Sequence, residues 1–407
     1  MIHFLIFHKT SRLKFDMADI SRPDAHQLHV VTQRDGGVKL SDENWSKVTS
    51  RFEVGDWDYE SLRRVVSDAV RSWGRQSVRL ISHDEYSLLF VAQLREEFGL
   101  PGPSVEQTMR FTNKPVMKAH ISAAGLAVPR FTRLPAKGRD FRADRAAREI
   151  AAVTSLPAFA KQVAGTCSER AVRLDTITEL TAWLDATSDL NSFEVDEFIT
   201  GDLLHVDCVI QHGRVVHAQT SMDTFPNAEA VSEKPFGSIT LPIESELAKR
   251  MLQYNLECLK ALSPLIEGTT HLEFFRTPDD RFIFLEIAAR SPGADFPRAY
   301  EINSGINFQS IYFKTHMGLP APVNPRRGPY VVWCWYPRRT GRVAAYVEPE
   351  LSSKYELTTD VSIGQQLKAT HDTRLRSARF LLTNDDFDAL TRDFNYLRHA
   401  YEPFIYE

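Results

Sequence analysis

Two glutamates and an arginine stand in a pattern able to hold a metal ion and a phosphate. In the stretch HLEFFRTPDDRFIFLEIAAR (271–290), two apolar runs, 272–275 and 282–287, flank Pro278-Asp279-Asp280. Such a segment predicts a β-hairpin. A two-residue loop at Asp279-Asp280 sets Glu273 directly opposite Glu286, with Cβ atoms roughly 4.5–5.5 Å apart on one face. A three-residue loop without a bulge would send the two carboxylates to opposite faces. Alternation then carries the same face through Glu286, Ala288 and Arg290. Two like charges at about 4 Å repel by about 4 kcal/mol at an effective dielectric of about 20, so opposed acids among Phe, Leu and Ile require a compensating cation. Mg²⁺ is commonly held by one or two carboxylates plus substrate phosphates, and opposed carboxylates followed by an arginine point to a metal–phosphate site. The competing reading is a solvated hairpin whose acids are balanced by Arg276, Arg281 and Arg290.

H-x-E on the first strand, then F-L-E-x-x-x-R running into S-P-G on the second, resembles the metal-binding core of the ATP-grasp superfamily. The likeness is nearest to its carboxylate–amine ligases, including those that join amino acids into dipeptides. The resemblance implies that Glu273 and Glu286 bind Mg²⁺ (Mn²⁺ as an alternative ion) bridging the phosphates of ATP. It also implies that Arg290 contacts the transferred phosphate and the acyl-phosphate intermediate. The widespread pattern is E-x-N-x-R. Here Ala288 stands where a metal-binding Asn is usual, which leaves the number of ions open.

Three further stretches follow the same resemblance in order. In FTNKPVMKAHISAAGLAVPRF, Asn113 can cap a helix that tolerates Pro115 in its first turn and ends at Gly125. Lys114 then maps to the lysine that reaches the nucleotide phosphates, although a first-turn lysine is by itself ordinary and slightly unfavourable to the helix dipole. LPAFAKQ (156–162) reads as a buried strand ending in Lys161, and an isolated buried charge needs a partner or a ligand. The resemblance gives Lys161 the α/β-phosphates and follows it with a loop in which Thr166 and Ser168 are hydroxyl donors. That loop carries one glycine where two or three are usual, and Gln162 replaces the usual proline. In FEVDEFI (193–199), Asp196, Glu197, Phe198 and Ile199 match the linker whose backbone binds adenine; as bare residues, the two acids could equally be solvated strand-edge groups. The ribose-binding acid of the family falls near Leu203, which cannot serve. Asp202, His205 and Asp207 are the nearby substitutes, and His205 is carried forward as a nucleotide-binding candidate. His271 sits beside Glu273 on the alternation, where it can orient a ligand carboxylate.

The elements that must position these groups are mixed. At 407 residues the chain suits two or three domains rather than one core. The expected fold class is α/β and α+β in a three-domain ATP-grasp architecture. It comprises an N-terminal α/β domain (1–112), a central small lobe (113–200), and a C-terminal lobe with the hairpin (201–320) that carries a small α+β subdomain (321–407). Ile2–Phe7, 28–32 and 77–82 predict strands; Tyr59–Trp73 and 88–98 predict helices. The stretch 174–184 predicts another helix. A formal net charge of −4 gives no reason to expect nucleic acid or an acidic membrane as partner. The four cysteines are far apart, which fits reduced thiols and a cytoplasmic location. No apolar run approaches the roughly 20 residues of a membrane span. P-loop, nucleophile-elbow, zincin and dinucleotide fingerprints are missing from the sequence.

The expected activity is therefore an ADP-forming ligase. It would join a small carboxylate, an amino acid above all, to an amine through an acyl phosphate. A homodimer is compatible with this reading. The alternatives are a ligase using a non-amino-acid amine or a thiol, and a nucleotide-binding protein without ligase activity.

Overall fold

Four parallel strands begin the chain: β1 (Ile2–Phe7), β2 (His26–Gln33), β3 (Ser50–Val54) and β4 (Val78–Ser82), side by side in the order β3-β2-β1-β4. They belong to a computed structural model that describes residues 1–9, 13–165, 170–226, 234–369 and 375–407. Parallel strands are normally covered on both faces, and β1 shows how. Leu5 and Phe7 face the helices Tyr59–Trp73 and Glu85–Phe98 through Leu62, Val66, Val91 and Leu94. Phe4 and Ile6 point the other way, onto Tyr312, Phe313 and Met317 near the helix Phe308–His316. Asp58 caps the first of these helices by accepting from the Ser61 N–H. Gly99, at φ +60°, closes the second in the left-handed region that glycine enters without steric cost.

A small antiparallel sheet follows: β5 (Phe131–Arg133), β6 (Ala158–Gln162), β7 (Val172–Leu174) and β8 (Phe193–Glu197), in the order β5-β8-β6-β7. The helices Ala143–Thr154 and Ile177–Ala186 cover one face, where Ala147, Ile150, Leu180 and Leu184 meet Ala158, Ala160 and Val195. Period-2 alternation therefore turns Lys161, Glu194 and Asp196 to the opposite face. The helix expected over 174–184 starts later. Leu174 lies in β7 opposite Ala158, and Thr176 caps the helix by accepting from the Glu179 N–H.

The largest sheet has eight strands. Its first members are β9 (Asp202–Gln211), β10 (Arg214–Asp223), β11 (Phe236–Thr240), β12 (Gly268–Arg276), β13 (Phe282–Ala288) and β14 (Tyr330–Pro337). Beyond them come β15 (Gly341–Tyr346), β16 (Lys354–Thr359), β17 (Gln366–Leu367), β18 (Arg376–Asn384) and β19 (Phe404–Tyr406). The order is β13-β12-β9-β10-β11-β14-β18-β16, with β15, β17 and β19 in a separate small sheet. β14, β18 and β16 continue the sheet that carries the hairpin, and one apolar core runs from Phe274 and Leu272 to Phe380 and Leu382.

Candidate functional site

The hairpin forms with a different loop from the one expected, yet the acids end up opposed. Thr277 and Arg281 are joined by a backbone hydrogen bond of 2.9 Å around Pro278, Asp279 and Asp280, so three residues make the turn. Asp280 takes φ 63°, the left-handed position that a three-residue hairpin loop requires. Unrelieved, that loop would send the carboxylates to opposite faces. A β-bulge corrects the register: Phe274 pairs with Phe284 and Glu273 with Glu286, leaving Leu285 as the extra residue. Ala288 lies opposite His271.

Each acid is answered by a cation. The Glu286 carboxylate is 2.9 Å from Lys114 Nζ, which also donates to the Gly165 carbonyl at 2.7 Å. Lys114 sits at the start of the helix Lys114–Ala123, capped by Asn113 as the sequence indicated. Glu273 is buried and accepts from His271 Nε2 at 3.0 Å, while His271 Nδ1 donates to Asp207 at 2.7 Å. Both ring nitrogens face carboxylates, so the ring carries both protons. Burial works against that charge, but Asp207 and Glu273 outweigh it and raise His271 to about 10. Burial would likewise raise Glu273, yet His271, His205 and Arg290 hold it at about 2. Tyr300 donates to Asp207 at 2.6 Å and meets Ser221 at 2.6 Å. This chain of groups orients Glu273 from beneath.

His205 does not line an open ribose pocket. It is buried, pairs with Asp223 at 2.8 Å, stacks on His271 at 4.9 Å and lies opposite Glu273 in the β9–β12 register. Asp223 raises its affinity for a proton against the penalty of burial. Ligand-type atoms of His205, His271 and Glu273 lie within 4.8 Å of one another. Carboxylates hold both imidazoles beside Glu273, Asp223 on His205 and Asp207 on His271.

Lys161 points away from the helix-covered face of its sheet into a cluster of four buried charges. Its Nζ is 2.9 Å from Asp196 and 3.7 Å from Glu194, and Lys118 Nζ is 2.5 Å and 2.9 Å from the same two acids. Burial opposes the charge on Lys161, and Asp196 and Glu194 more than restore it. None of the Lys161 contacts has hydrogen-bond geometry. Asp196 is therefore not a strand-edge acid. Glu197 pairs with Arg130 at 2.6 Å, and its N–H donates to the Arg130 carbonyl at 2.8 Å. The Phe198 N–H donates to the Pro157 carbonyl at 3.1 Å, so neither of these amides is open to a base. Ile199 joins Leu203, Phe275, Ile283 and the bulged Leu285 in a small apolar cluster. Thr166 and Ser168 lie outside the described residues.

Arg290 leaves the end of β13 and reaches across to the N-terminal unit. It donates to Glu85 at 2.6 Å and to the Ser291 carbonyl at 3.0 Å. Ser291 is in turn 2.5 Å from His83, which follows β4. The structure thus gathers Lys114, Glu273 and Glu286 along the hairpin, with Arg290 at its end and Lys161 tied to Asp196. Sequence reasoning missed Lys118, Glu194, Asp223, Tyr300 and Glu85. Two of these had a legible signal: Lys118 is four residues after Lys114, hence on the same helix face, and Glu194 is two before Asp196 on the strand alternation.

No family model matches the chain. It is 25% identical over 286 residues, 67% of its length, to the L-arginine-specific L-amino acid ligase of Bacillus subtilis; the match spans only 65% of that relative. In three dimensions it is similar to the L-amino acid ligase of Bacillus licheniformis, with a TM-score of 0.71 and 15% identity over 100% of this chain and 99% of the other. It is also similar to the biotin carboxylase domain of 2-oxoglutarate carboxylase from Hydrogenobacter thermophilus, solved with MgADP, ADP and bicarbonate. That likeness has a TM-score of 0.63 and 13% identity over 97% and 90% of the two chains.

Proposed function

We propose that this chain, which has the fold of the ATP-grasp enzymes, is an ATP-dependent ligase that forms an amide between a small carboxylate and an amine. The observation that carries the reading is the opposed Glu273–Glu286 pair with Lys114 on one acid and Arg290 at the end of the same strand. The relatives support an amino acid as the acid substrate.

The residues fit the groups this chemistry needs. Two opposed carboxylates, each already answered by a cation, form a donor set of hard oxygens suited to Mg²⁺. Lys161 is a buried ammonium in ion contact but without a hydrogen-bonded acceptor, which suits phosphate oxygens. Glu273 and Glu286 would hold the ion, and when bound it neutralises phosphate charge as a Lewis acid. Lys114 and Lys161 bind the nucleotide phosphates. The cluster of Ile199, Leu203, Phe275, Ile283 and Leu285 offers the adenine an apolar wall.

In the first step a carboxylate oxygen of the acid attacks the γ-phosphorus, the bond to ADP breaks, and an acyl phosphate forms. Arg290 exchanges Glu85 for the phosphoryl group, where its planar fork stabilises developing charge. In the second step the amine nitrogen attacks the acyl carbon, phosphate leaves, and the nitrogen loses a proton. Glu85, His83 and Ser291 close the N-terminal unit over Arg290 and help exclude water, which would hydrolyse the acyl phosphate. Buried free thiols at Cys208, Cys258 and Cys334 fit a reducing cytoplasm. Among the described residues no helix is long and apolar enough to cross a membrane.

The test is ADP release with amino acids supplied singly and in pairs, read beside mass detection of the amide. Release that requires both an acid and an amine supports the ligase. ATP binding with no paired stimulation would favour nucleotide binding without ligation, the reading to which Ala288 lends weight.

A further inference from the structure

Four charged side chains, Lys118, Lys161, Glu194 and Asp196, lie together out of water, and only Lys161 has a part in the reaction proposed above. Lys118 is fully buried, one helical turn beyond Lys114. Its Nζ lies 2.5 Å from Asp196 Oδ1, 2.9 Å from Glu194 Oε1, and 4.2 Å from the centre of the Phe131 ring. Lys161 takes the other oxygen of Asp196, at 2.9 Å. Asp196 therefore bridges two lysines, while Glu194 is held closely by Lys118 and only at 3.7 Å by Lys161.

The balance is two cations against two anions. Without Lys118, Lys161 would be the sole counter-ion of two buried carboxylates. Buried acids retain their charge only when paired, and breaking one member of such a set leaves the rest uncompensated. Lys161 would then be drawn between Glu194 and Asp196, and the patch would present a net negative charge to a polyanionic ligand. With Lys118 present, Glu194 is answered at 2.9 Å and the patch is neutral. Lys161 then answers Asp196 at 2.9 Å and stays 3.7 Å from Glu194.

We infer that Lys118 is a positioning residue for the nucleotide: by neutralising Glu194 and sharing Asp196, it leaves Lys161 available to phosphate. Lys118 has no surface to offer a substrate, being fully buried against Glu194, Asp196 and the Phe131 ring. The inference rests on the ATP-binding reading given above and adds to it the device that sets the phosphate lysine. It also accounts for Glu194, which the proposed chemistry does not otherwise use.

The experiment compares Lys118→Met, Glu194→Gln and the double variant in the full chain. ATP affinity is measured by calorimetry, KM for ATP and kcat by ADP release, and folding by thermal melting. Lys118→Met is expected to weaken ATP about tenfold, the scale of one charge-assisted contact, with kcat at saturating ATP little changed. Glu194→Gln removes the acid that Lys118 answers and is expected to bind ATP at least as well as wild type. The double variant restores the balance and is expected to recover ATP affinity to within about threefold. A structural role alone would lower the melting temperature in all three without separating KM from kcat. Wild-type ATP affinity in Lys118→Met, or a double variant as weak as the single, overturns the inference. Should Lys118→Met fail to fold, the double variant decides: retained ATP affinity supports the charge-balance device and lost affinity overturns it. Wild-type protein that binds no ATP would instead sink the ligase reading itself, before any variant is compared.

Discussion

Glu273 meets His271 at 3.0 Å and lies opposite Glu286, whose own oxygen is 2.9 Å from Lys114. The two acids should therefore behave alike in turnover and differently in stability. Glu273→Gln and Glu286→Gln are each expected to reduce ADP release by at least about two orders of magnitude, the scale of losing one preorganised group. Glu273→Gln should also lower the melting temperature, because it strips a buried imidazolium of one acceptor charge. Glu286→Gln should change it little, since that side chain is 22% exposed. Full turnover in either variant would remove the metal role from that residue. Lys161→Ala leaves Asp196 and Glu194 with Lys118 alone, and ATP affinity by calorimetry should fall at least about tenfold. Arg290→Lys can still pair with Glu85 but cannot reproduce a bidentate fork. Its chemical rate should drop by about two orders of magnitude while ATP affinity stays within a few-fold. Loss of ATP binding with the saturated rate preserved would make Arg290 a ground-state anchor instead.

The hairpin shows how far elements can be read from a sequence. Apolar alternation on either side of Pro278 located both strands and opposed the two acids, because a buried face fixes register strongly. The loop length and the bulge could not be read separately. A two-residue loop and a three-residue loop with one extra residue at Leu285 give the same pairing of Glu273 with Glu286. The helix cap at Asn113 was legible because its side chain answers a local backbone N–H. β16 was not, because Lys354–Thr359 is mostly exposed and shows no alternation of burial. His205 was misplaced for a related reason: its partner, Asp223, comes from the neighbouring strand β10. The loop itself offers a test. Asp280 holds φ 63° and pairs with Arg250 and Arg276 on an exposed edge. Exposed pairs contribute little, so Asp280→Gly should leave the melting temperature nearly unchanged. Asp280→Val, which must force a branched side chain into the left-handed region, should cost about 1–3 kcal/mol. Equal stability of the two variants would mean that the turn does not hold this conformation in solution.

Across the whole molecule, buried histidines of two kinds set how stability depends on pH. His29 and His217 are pushed down to about 4 and His316 to about 3, in each case first by burial. These rings are neutral in the fold and titrate near 6.5 when unfolded. Their contribution is therefore complete above about pH 6.5 and is lost as pH falls through 4 toward 3. His271 has the opposite sign. Asp207 and Glu273 raise it to about 10 against burial, so its contribution is complete below about 6.5 and is lost as pH rises through 10. The carboxylate of Glu273, held at about 2, adds to the acid limb only below its unfolded value of about 4.3. The two limbs should meet in a maximum of melting temperature near pH 6.5, falling on both sides, in metal-free buffer of constant ionic strength. His316→Phe should flatten the acid limb and leave the alkaline limb in place, because the ring it replaces is buried against Tyr312 and near Arg95, whereas His271 answers Asp207 and Glu273. A melting temperature that climbs steadily from pH 6.5 to 9.5 would mean that His271 is not a buried cation. The hydrogen-bonded chain from Ser221 and Tyr300 through Asp207 and His271 to Glu273 would then have to be drawn with a neutral ring, and Glu273 would lose its closest counter-charge.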